Sequence, residues 1–176
     1  PSFSSLHPQP PRSTLCPYTT LFRSALDLKE SGITDITTEL IILTGPESCG
    51  KTTLATALGE ILRAPMVPEV SRDYLKQKMS RDSQFQYSEP DLLEIASQQQ
   101  HEEQLALAKN PDLLICDTDL LVLILWSEIR FGECHQWILD TFASNVVSQK
   151  RHYFLCDYHV PWQADPLREN PDDREE

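Results

Sequence analysis

Basic residues are scarce in this sequence. The 176-residue chain has 15 lysines and arginines against 27 aspartates and glutamates, which gives a formal net charge of −12. A nucleic-acid-binding domain needs a basic face to neutralise phosphates, so this balance argues against a nucleic-acid partner. Long apolar runs are also missing, since the longest candidate, residues 120–126, is far shorter than the roughly 20 residues of a membrane-spanning helix. We therefore predict neither a nucleic-acid nor a membrane partner.

The five cysteines follow no metal-binding pattern. The sequence has no C-x-x-C pair and no histidine at the spacing of a zinc site. Cys116 and Cys156 lie in apolar runs, where a thiol behaves as a small hydrophobic side chain. Free thiols of this kind are typical of a reducing compartment, so the sequence predicts a cytoplasmic protein.

Residues 1–24 differ in composition from the rest of the chain. They contain five prolines and no acidic residue, whereas the remainder is strongly acidic. Proline excludes a regular helix here, and residues 12–24 resemble a translated sequencing adapter. We interpret residues 1–24 as a non-native or disordered leader and residues 25–38 as a polar lead-in. Residues 39–176 are then predicted to form one domain of ordinary size.

Residues 45–52 read Gly-Pro-Glu-Ser-Cys-Gly-Lys-Thr, a complete G-x-x-x-x-G-K-[ST] phosphate loop. In such a loop the backbone N–H groups surround a phosphate, Lys51 reaches the β- and γ-phosphates, and the Thr52 hydroxyl holds Mg²⁺. An apolar run precedes the loop and a helical pattern follows it, as the motif requires. The sequence therefore predicts ATP and Mg²⁺ as ligands. The residues predicted to contact the nucleotide are Gly45, Glu47, Ser48, Cys49, Gly50, Lys51, Thr52 and Thr53.

Strand and helix patterns alternate along the rest of the chain. The predicted strands are residues 40–43, 65–69, 113–116 and 153–156, and the predicted helices are residues 52–63, 71–79, 88–109, 120–131 and 136–147. This alternation is typical of an α/β fold with a parallel sheet. We predict a three-layer P-loop NTPase fold of the nucleoside-kinase type. No strand pattern follows residue 156, so we expect the domain to lack its last strand.

The middle of the predicted helix 88–109 is unusually polar, with the sequence Gln98-Gln-Gln-His-Glu-Glu103. A helix face made only of such residues is normally solvated, and we interpret this stretch as a solvated face. The alternative is that Gln99 faces the substrate cleft.

Acidic residues follow the predicted strands. Ligands of parallel α/β sheets bind beyond the carboxyl ends of the strands, so these acids are candidate site residues. Asp117 is in the position that holds Mg²⁺ together with Thr52. Glu69 is the first choice to take the proton of an acceptor hydroxyl, and the alternative is an acid at a helix N-terminus. Asp119 is the second choice, as a clamp for substrate hydroxyls, although it also fits a helix N-cap.

Arginines and tryptophans complete the candidate set. Arg168 and Arg174 lie in a proline- and aspartate-rich stretch with the composition of a mobile flap, which would close over the phosphates. The alternative is that they form surface ion pairs. Arg72 offers a basic group to a polyanionic ligand. Trp126 and Trp162 provide stacking faces for an aromatic or cationic ring, or else belong to the core.

These residues favour a small-molecule kinase. Asp117 is followed by Thr118, whereas a mechanical ATPase would have a glutamate there to polarise water. Two alternative functions remain. One is a kinase for another nucleoside or metabolite, and the other is a nucleotide-binding regulatory module with little catalysis. A kinase should need Glu69 and the two flap arginines, whereas a regulatory module should need only the phosphate loop.

Six motifs occur in order along the chain, at residues 45–55, 68–75, 114–120, 126–128, 155–162 and 167–175. Together they resemble the nicotinamide riboside kinase domain of NadR-like bacterial proteins, over about residues 39–176. The resemblance implies ATP-dependent phosphorylation of the 5′-hydroxyl of nicotinamide riboside, which gives nicotinamide mononucleotide in NAD salvage. Members of this family often carry an upstream adenylyltransferase domain, and their final helix and strand have no counterpart in this sequence.

The resemblance also implies roles for individual residues. Lys51 and Thr52 would bind ATP–Mg²⁺, and Arg168 and Arg174 would be lid arginines. Trp126 or Trp162 would contact the pyridinium ring of the nucleoside. The residues implied to line the reaction site are Glu69, Arg72, Asp117 and Asp119.

Overall fold

One parallel sheet organises the described part of the chain. The computed structural model describes residues 38–163, so the predicted leader, the lead-in up to residue 37, and Arg168 and Arg174 lie outside the described residues. The strands are β1 (Glu39–Thr44), β2 (Met66–Val67), β3 (Leu113–Asp117) and β4 (Lys150–Leu155). Their order is β2-β3-β1-β4, and each neighbouring pair is parallel. The predicted α/β fold with a parallel sheet is confirmed.

Helices connect the strands, and their bounds agree with the predicted ones to within two residues. They are α1 (Lys51–Leu62), α2 (Val70–Arg81), α3 (Glu89–Leu107), α4 (Leu120–Phe131) and α5 (Gln136–Ser148). Local signals explain this agreement. A capping box between Ser88 and Asp91 starts α3, and Gly132, with a φ of 82°, ends α4. No helix within residues 38–163 is long and apolar enough to cross a membrane.

The interior of the sheet is strongly apolar. Strand β1 lies between β3 and β4, and its residues Leu40, Ile42 and Leu43 are fully buried. A strand with neighbours on both edges and helices on its faces needs such a continuous apolar run. The register pairs Leu43 with Asp117 of β3, which brings the ends of these two strands to the same level. The phosphate loop therefore begins beside Asp117.

Strand β2 is shorter than predicted. Only Met66 and Val67 pair with β3, whereas the prediction covered residues 65–69. Proline at position 68 has no N–H group to donate to the sheet, and Glu69 is already the N-cap residue of α2. Glu69 consequently follows the strand by two residues.

The interpretation of residues 98–103 as a solvated face is wrong for half of the stretch. Gln99, Gln100 and Glu103 of α3 are buried, with exposed fractions of 4%, 6% and 2%. Each has a polar partner from a distant segment. Gln99 contacts the segment before α2, Gln100 exchanges hydrogen bonds with Asn145 of α5, and Glu103 pairs with Arg151 of β4. These polar side chains can be buried because each has a hydrogen-bond or ion-pair partner, which avoids the cost of an unpaired buried polar group.

Candidate functional site: a phosphate loop beside a small polar cavity

The loop between β1 and α1 has a backbone that only particular residues can adopt. Gly45, Ser48 and Gly50 have φ values of 136°, 58° and 86°. A Cβ atom on Gly45 would lie 2.7 Å from the carbonyl oxygen of Cys156, so a side chain there would collide with the backbone. Glycine is required at Gly45 by both its conformation and this close approach.

The loop leads directly into the N-terminus of α1. Gly50 is the N-cap residue, no side chain within residues 38–163 caps this end, and no acidic residue occupies the first turn. The first N–H groups of a helix lack partners within the helix and carry a partial positive charge. The end of α1 is therefore suited to an anion such as a phosphate group.

Lys51 adds a full positive charge at the same place. Its ammonium group donates hydrogen bonds to the carbonyl oxygens of Gly45, at 2.8 Å, and Pro46, at 2.7 Å. The lysine thus crosses from the end of the loop back to its start. The positive charge stays inside the curve of the loop, where a phosphate would enter.

Thr52 and Asp117 meet at the junction of α1 and β3. The Thr52 hydroxyl hydrogen-bonds to the Asp117 carboxylate, which is 1% exposed. Burial raises the pKa of Asp117 above its ordinary value, the hydrogen bond from Thr52 opposes this effect, and the nearby charge of Glu69 adds to the rise. Glu69 and Asp117 are therefore close enough for their charges to interact.

The donor set at this junction fits Mg²⁺. The Oδ1 atom of Asp117 is buried and has no hydrogen-bond partner among the described residues. A buried carboxylate oxygen without a partner is costly, and a hard cation would satisfy it. Residues 38–163 contain no group of three or more His, Cys, Asp or Glu arranged to hold a metal. Mg²⁺ does not need one, because it usually takes one or two carboxylates together with waters and substrate phosphates.

A small cavity lies next to this junction. Its polar wall consists of Glu69, Ser71, Gln99 and Thr118, and its apolar wall consists of Ile95, Val122, Leu123 and Trp126. Polar groups that converge beside an apolar wall can hydrogen-bond and orient a polar group of a ligand. The cavity therefore joins Glu69 and Trp126, two residues that are 57 positions apart in the numbering.

The backbone around Glu69 is held in place from two sides. The Ser71 hydroxyl donates to Oε1 of Glu69 at 2.6 Å. The Gln99 amide oxygen accepts from the N–H of Val70 at 2.9 Å, and its amide nitrogen donates to the carbonyl of Pro68 at 3.3 Å. Glu69 is the N-cap residue of α2 but makes no side-chain cap hydrogen bond within the described chain. Its carboxylate is directed to Ser71 and the cavity instead.

Asp119 belongs to a different environment. One of its oxygens accepts from the N–H of Leu121, and the other accepts from Arg151 at 2.9 Å and from the Tyr153 hydroxyl at 2.7 Å. Arg151 also pairs with the buried Glu103. Asp119 does not line the cavity within the described chain. The alternative role of Asp119 as a helix N-cap is confirmed. Its role as a clamp for substrate hydroxyls stays a prediction.

The two candidate tryptophans lie in different places. Trp126 is on the cavity wall and stacks on Tyr87, with ring centroids 6.1 Å apart and planes inclined by 19°. Trp162 is half-buried and does not line the cavity within residues 38–163. The N–H of the next residue, Gln163, donates to the Ser48 hydroxyl at 2.9 Å, so Trp162 lies near the phosphate loop. Of these two tryptophans, Trp126 is the one that lines the cavity in the described part of the chain.

Some residues of the site carried little or no sequence signal. The sequence gives no signal for Ser71, although it follows Glu69 by two positions, and it points to Thr118 only as the residue after Asp117 and not as part of a cavity wall. Arg72 was proposed as a basic site residue, and its charge acts on Asp117 by lowering the pKa of that carboxyl, against the larger effect of burial.

A family model described as an AAA domain matches residues 40–176. The match begins within β1 and includes the phosphate loop, the strands that follow it and the cavity residues. No curated protein matches the chain.

Proposed function

We propose that this chain, which belongs to the AAA domain family, is an ATP-dependent kinase. Its proposed reaction is phosphorylation of the 5′-hydroxyl of nicotinamide riboside. The observation that carries the proposal is the position of Glu69. This carboxylate lines the small cavity and lies close enough to Asp117, beside the phosphate loop, for the two charges to interact. A kinase needs an acceptor pocket beside its phosphate site, whereas an ATPase needs only a water.

The ATP phosphates would bind in the loop. Backbone N–H groups of the loop and of the first turn of α1 would surround them, and Lys51 would neutralise charge that develops during transfer. Thr52 and Asp117 would hold Mg²⁺, which supplies charge neutralisation at the phosphate oxygens. Glu47, Ser48, Cys49 and Thr53 would contribute through their place in the loop or the first helical turn.

The acceptor would enter the cavity. Glu69 would orient the hydroxyl and take its proton as the new P–O bond forms. Ser71 and Gln99 hold Glu69 in position, which matters because transfer requires the attacking oxygen in line with the γ-phosphorus. Trp126 would stack on the base, and an indole face favours a cationic pyridinium over a neutral ring.

The choice of nicotinamide riboside also rests on the ordered motifs that resemble NadR-like kinases. Three of them, at residues 68–75, 114–120 and 126–128, contain the cavity residues Glu69, Ser71, Thr118 and Trp126. The motif at residues 167–175 contains Arg168 and Arg174, which we propose as lid arginines that stabilise the transferred phosphoryl group. In NadR-like proteins that carry an adenylyltransferase domain, that domain would use the nicotinamide mononucleotide that the kinase produces.

A coupled ADP-release assay on the full chain tests the proposal. The panel contains nicotinamide riboside and nucleosides with neutral bases, each with ATP and Mg²⁺. We expect the highest kcat/KM with nicotinamide riboside, and a monophosphate product by mass spectrometry. Turnover with only a neutral nucleoside would reject the acceptor. ATP binding without turnover of any nucleoside would favour a regulatory module.

Two variants separate binding from chemistry. Lys51→Ala should lose about 10²–10³-fold in kcat, as when a transition-state hydrogen bond is removed. Glu69→Gln should lose about 10²–10⁴-fold in kcat with little change in ATP affinity. Glu60→Gln, on the exposed side of α1, is the matched control and should be unaffected. A Glu69→Gln enzyme with unchanged kcat would remove Glu69 from the mechanism.

A further inference from the structure

Two cysteines meet at the base of the phosphate loop. Cys49 is in the loop and Cys156 follows β4, and both are buried, with exposed fractions of 5% and 8%. The N–H of Cys156 donates to the carbonyl of Thr44 at 2.7 Å, which fixes Cys156 beside the start of the loop. A Cβ atom on Gly45 would lie 3.3 Å from the Cys49 sulfur and 2.7 Å from the Cys156 carbonyl oxygen. Gly45 thus packs against both cysteines.

The two thiols differ in their chemical state. The Cys156 thiol hydrogen-bonds to Cys49, and this contact lowers the pKa of Cys49 to about 6; burial opposes the shift, and the ammonium of Lys51, 3.8 Å from the sulfur, adds to it. The same hydrogen bond and burial raise the pKa of Cys156. Cys49 is therefore the nucleophilic thiolate at neutral pH, and Cys156 is the partner that keeps its proton.

We propose that Cys49 and Cys156 are a thiol oxidation site, at which a hydroperoxide converts the pair into a disulfide that closes the phosphate loop to nucleotide. The Cys49 thiolate attacks one oxygen of hydrogen peroxide, so an S–O bond forms, the O–O bond breaks, and the hydroxide that leaves takes a proton from solvent to become water. The Cys156 sulfur, losing its proton, then attacks the Cys49 sulfur. An S–S bond forms, the S–O bond breaks and a second water leaves. Two thiols are oxidised and one hydrogen peroxide is reduced to two waters.

The bond would act on nucleotide binding in two ways. An S–S bond of about 2.05 Å is much shorter than a thiol–thiol contact, so the loop must shift toward β4. Gly45 lies against both cysteines, so a shift of Cys49 toward Cys156 would also displace the start of the loop. Lys51 would also lose its anionic neighbour, and the N–H groups of the loop would no longer converge on one phosphate.

The test oxidises the full chain with hydrogen peroxide and compares it with the dithiothreitol-reduced protein. We expect the intact mass to fall by two hydrogens, a peptide map to join Cys49 to Cys156, and the affinity for a fluorescent ATP analogue to fall at least about tenfold. Dithiothreitol should restore both the mass and the affinity. ATP bound before peroxide is added should slow disulfide formation.

Matched variants isolate the pair. Cys156→Ser should bind nucleotide normally when reduced and, after peroxide, should stop at a sulfenic acid on Cys49 that a dimedone probe traps. Cys134→Ser, which removes a half-buried cysteine elsewhere, should behave as the unaltered chain does. An unchanged mass after peroxide, a disulfide to another cysteine, or unchanged nucleotide affinity in the oxidised protein would each overturn the proposal. The mass readout needs no kinase activity, so failure of the proposed function would leave this test intact.

Discussion

Gln99 brackets Glu69 through the backbone on either side of it. The amide oxygen of Gln99 accepts from Val70, and its amide nitrogen donates to Pro68. A glutamine side chain has a donor and an acceptor in one plane, so a single residue fixes both peptide groups next to the proposed base. The pairing joins the middle of α3 to the start of α2, across 29 positions of sequence.

Replacing Gln99 should therefore impair catalysis without touching the phosphate loop. Gln99→Leu removes both hydrogen bonds, and we expect kcat to fall about 10–100-fold because Glu69 is no longer held in line. The KM for ATP should change little. Gln98→Leu, on the exposed side of the same helix, is the control. Equal falls in kcat/KM for both substrates with unchanged kcat would point to a binding role and contradict the positioning role.

Gly45 should tolerate no side chain. Gly45→Ala places a Cβ 2.7 Å from a backbone oxygen at a φ of 136°, so we expect loss of nucleotide binding or a stability loss of about 1–3 kcal/mol. Isothermal titration with ATP and urea unfolding measure the two effects. Gly59→Ala, in the middle of α1, meets its nearest atom at 3.4 Å and should be neutral or slightly stabilising. Equal behaviour of the two alanine variants would show that the loop is not constrained as described.

The ion network of β4 should contribute strongly to stability. Arg151→Met leaves the buried carboxylates of Glu103 and Asp119 without their cation, and we expect a loss of about 3–5 kcal/mol. The neighbouring Lys150→Met removes an exposed charge, with 56% of its side chain accessible, and should change stability by less than about 0.5 kcal/mol. Chemical denaturation of both variants measures the difference. A small effect of Arg151→Met would mean that the two carboxylates protonate or reach water.

Asp91 should make stability depend on acid pH. Burial raises the pKa of Asp91, but hydrogen bonds from Ser88, Tyr74 and Lys78 outweigh it and lower the pKa to about 2. Because the folded value lies below the ordinary 3.8, the contribution is complete above about pH 4 and disappears as the pH falls through about 2. Asp91→Asn should cost about 2 kcal/mol at pH 7.

The acid titration provides the check on this value. The stability difference between Asp91→Asn and the unaltered chain should shrink steadily between pH 4 and pH 2, as measured by urea midpoints. Glu89→Gln, at an exposed position of the same first turn, should show no such convergence. A difference that stays constant over this range would remove Asp91 as the source of the pH dependence.

Local chemistry was sufficient for the helices and for strands β1 and β3. The glycines, lysine and threonine of residues 45–52 predicted the loop, and Ser88 with Asp91 predicted the start of α3, because each of these features is completed by neighbours a few residues away. The apolar runs likewise predicted β1 and β3. Strand β2 ends before Pro68 because proline has no N–H group to donate, which is also a local effect. The prediction of a strand over residues 65–69 did not take this into account.

The assignment of individual acids and amides depended on segments far apart in the chain. Asp117 and Asp119 are two positions apart and look equivalent in sequence, yet Thr118, with a φ of 73°, separates them so that one meets Thr52 and the other meets Arg151. The sequence also did not show which face of α3 is buried, because the partners of Gln99 and Glu103 lie 29 to 48 positions away along the chain.

By itself, the sequence determined a parallel α/β domain with a phosphate loop, because backbone conformation and apolar periodicity follow from local residue chemistry. Only the tertiary structure decided which polar side chains meet at the site. A buried carboxylate, amide or thiol takes its role from the charges and donors that folding brings beside it, as Cys156 does for Cys49 and Gln99 does for Glu69.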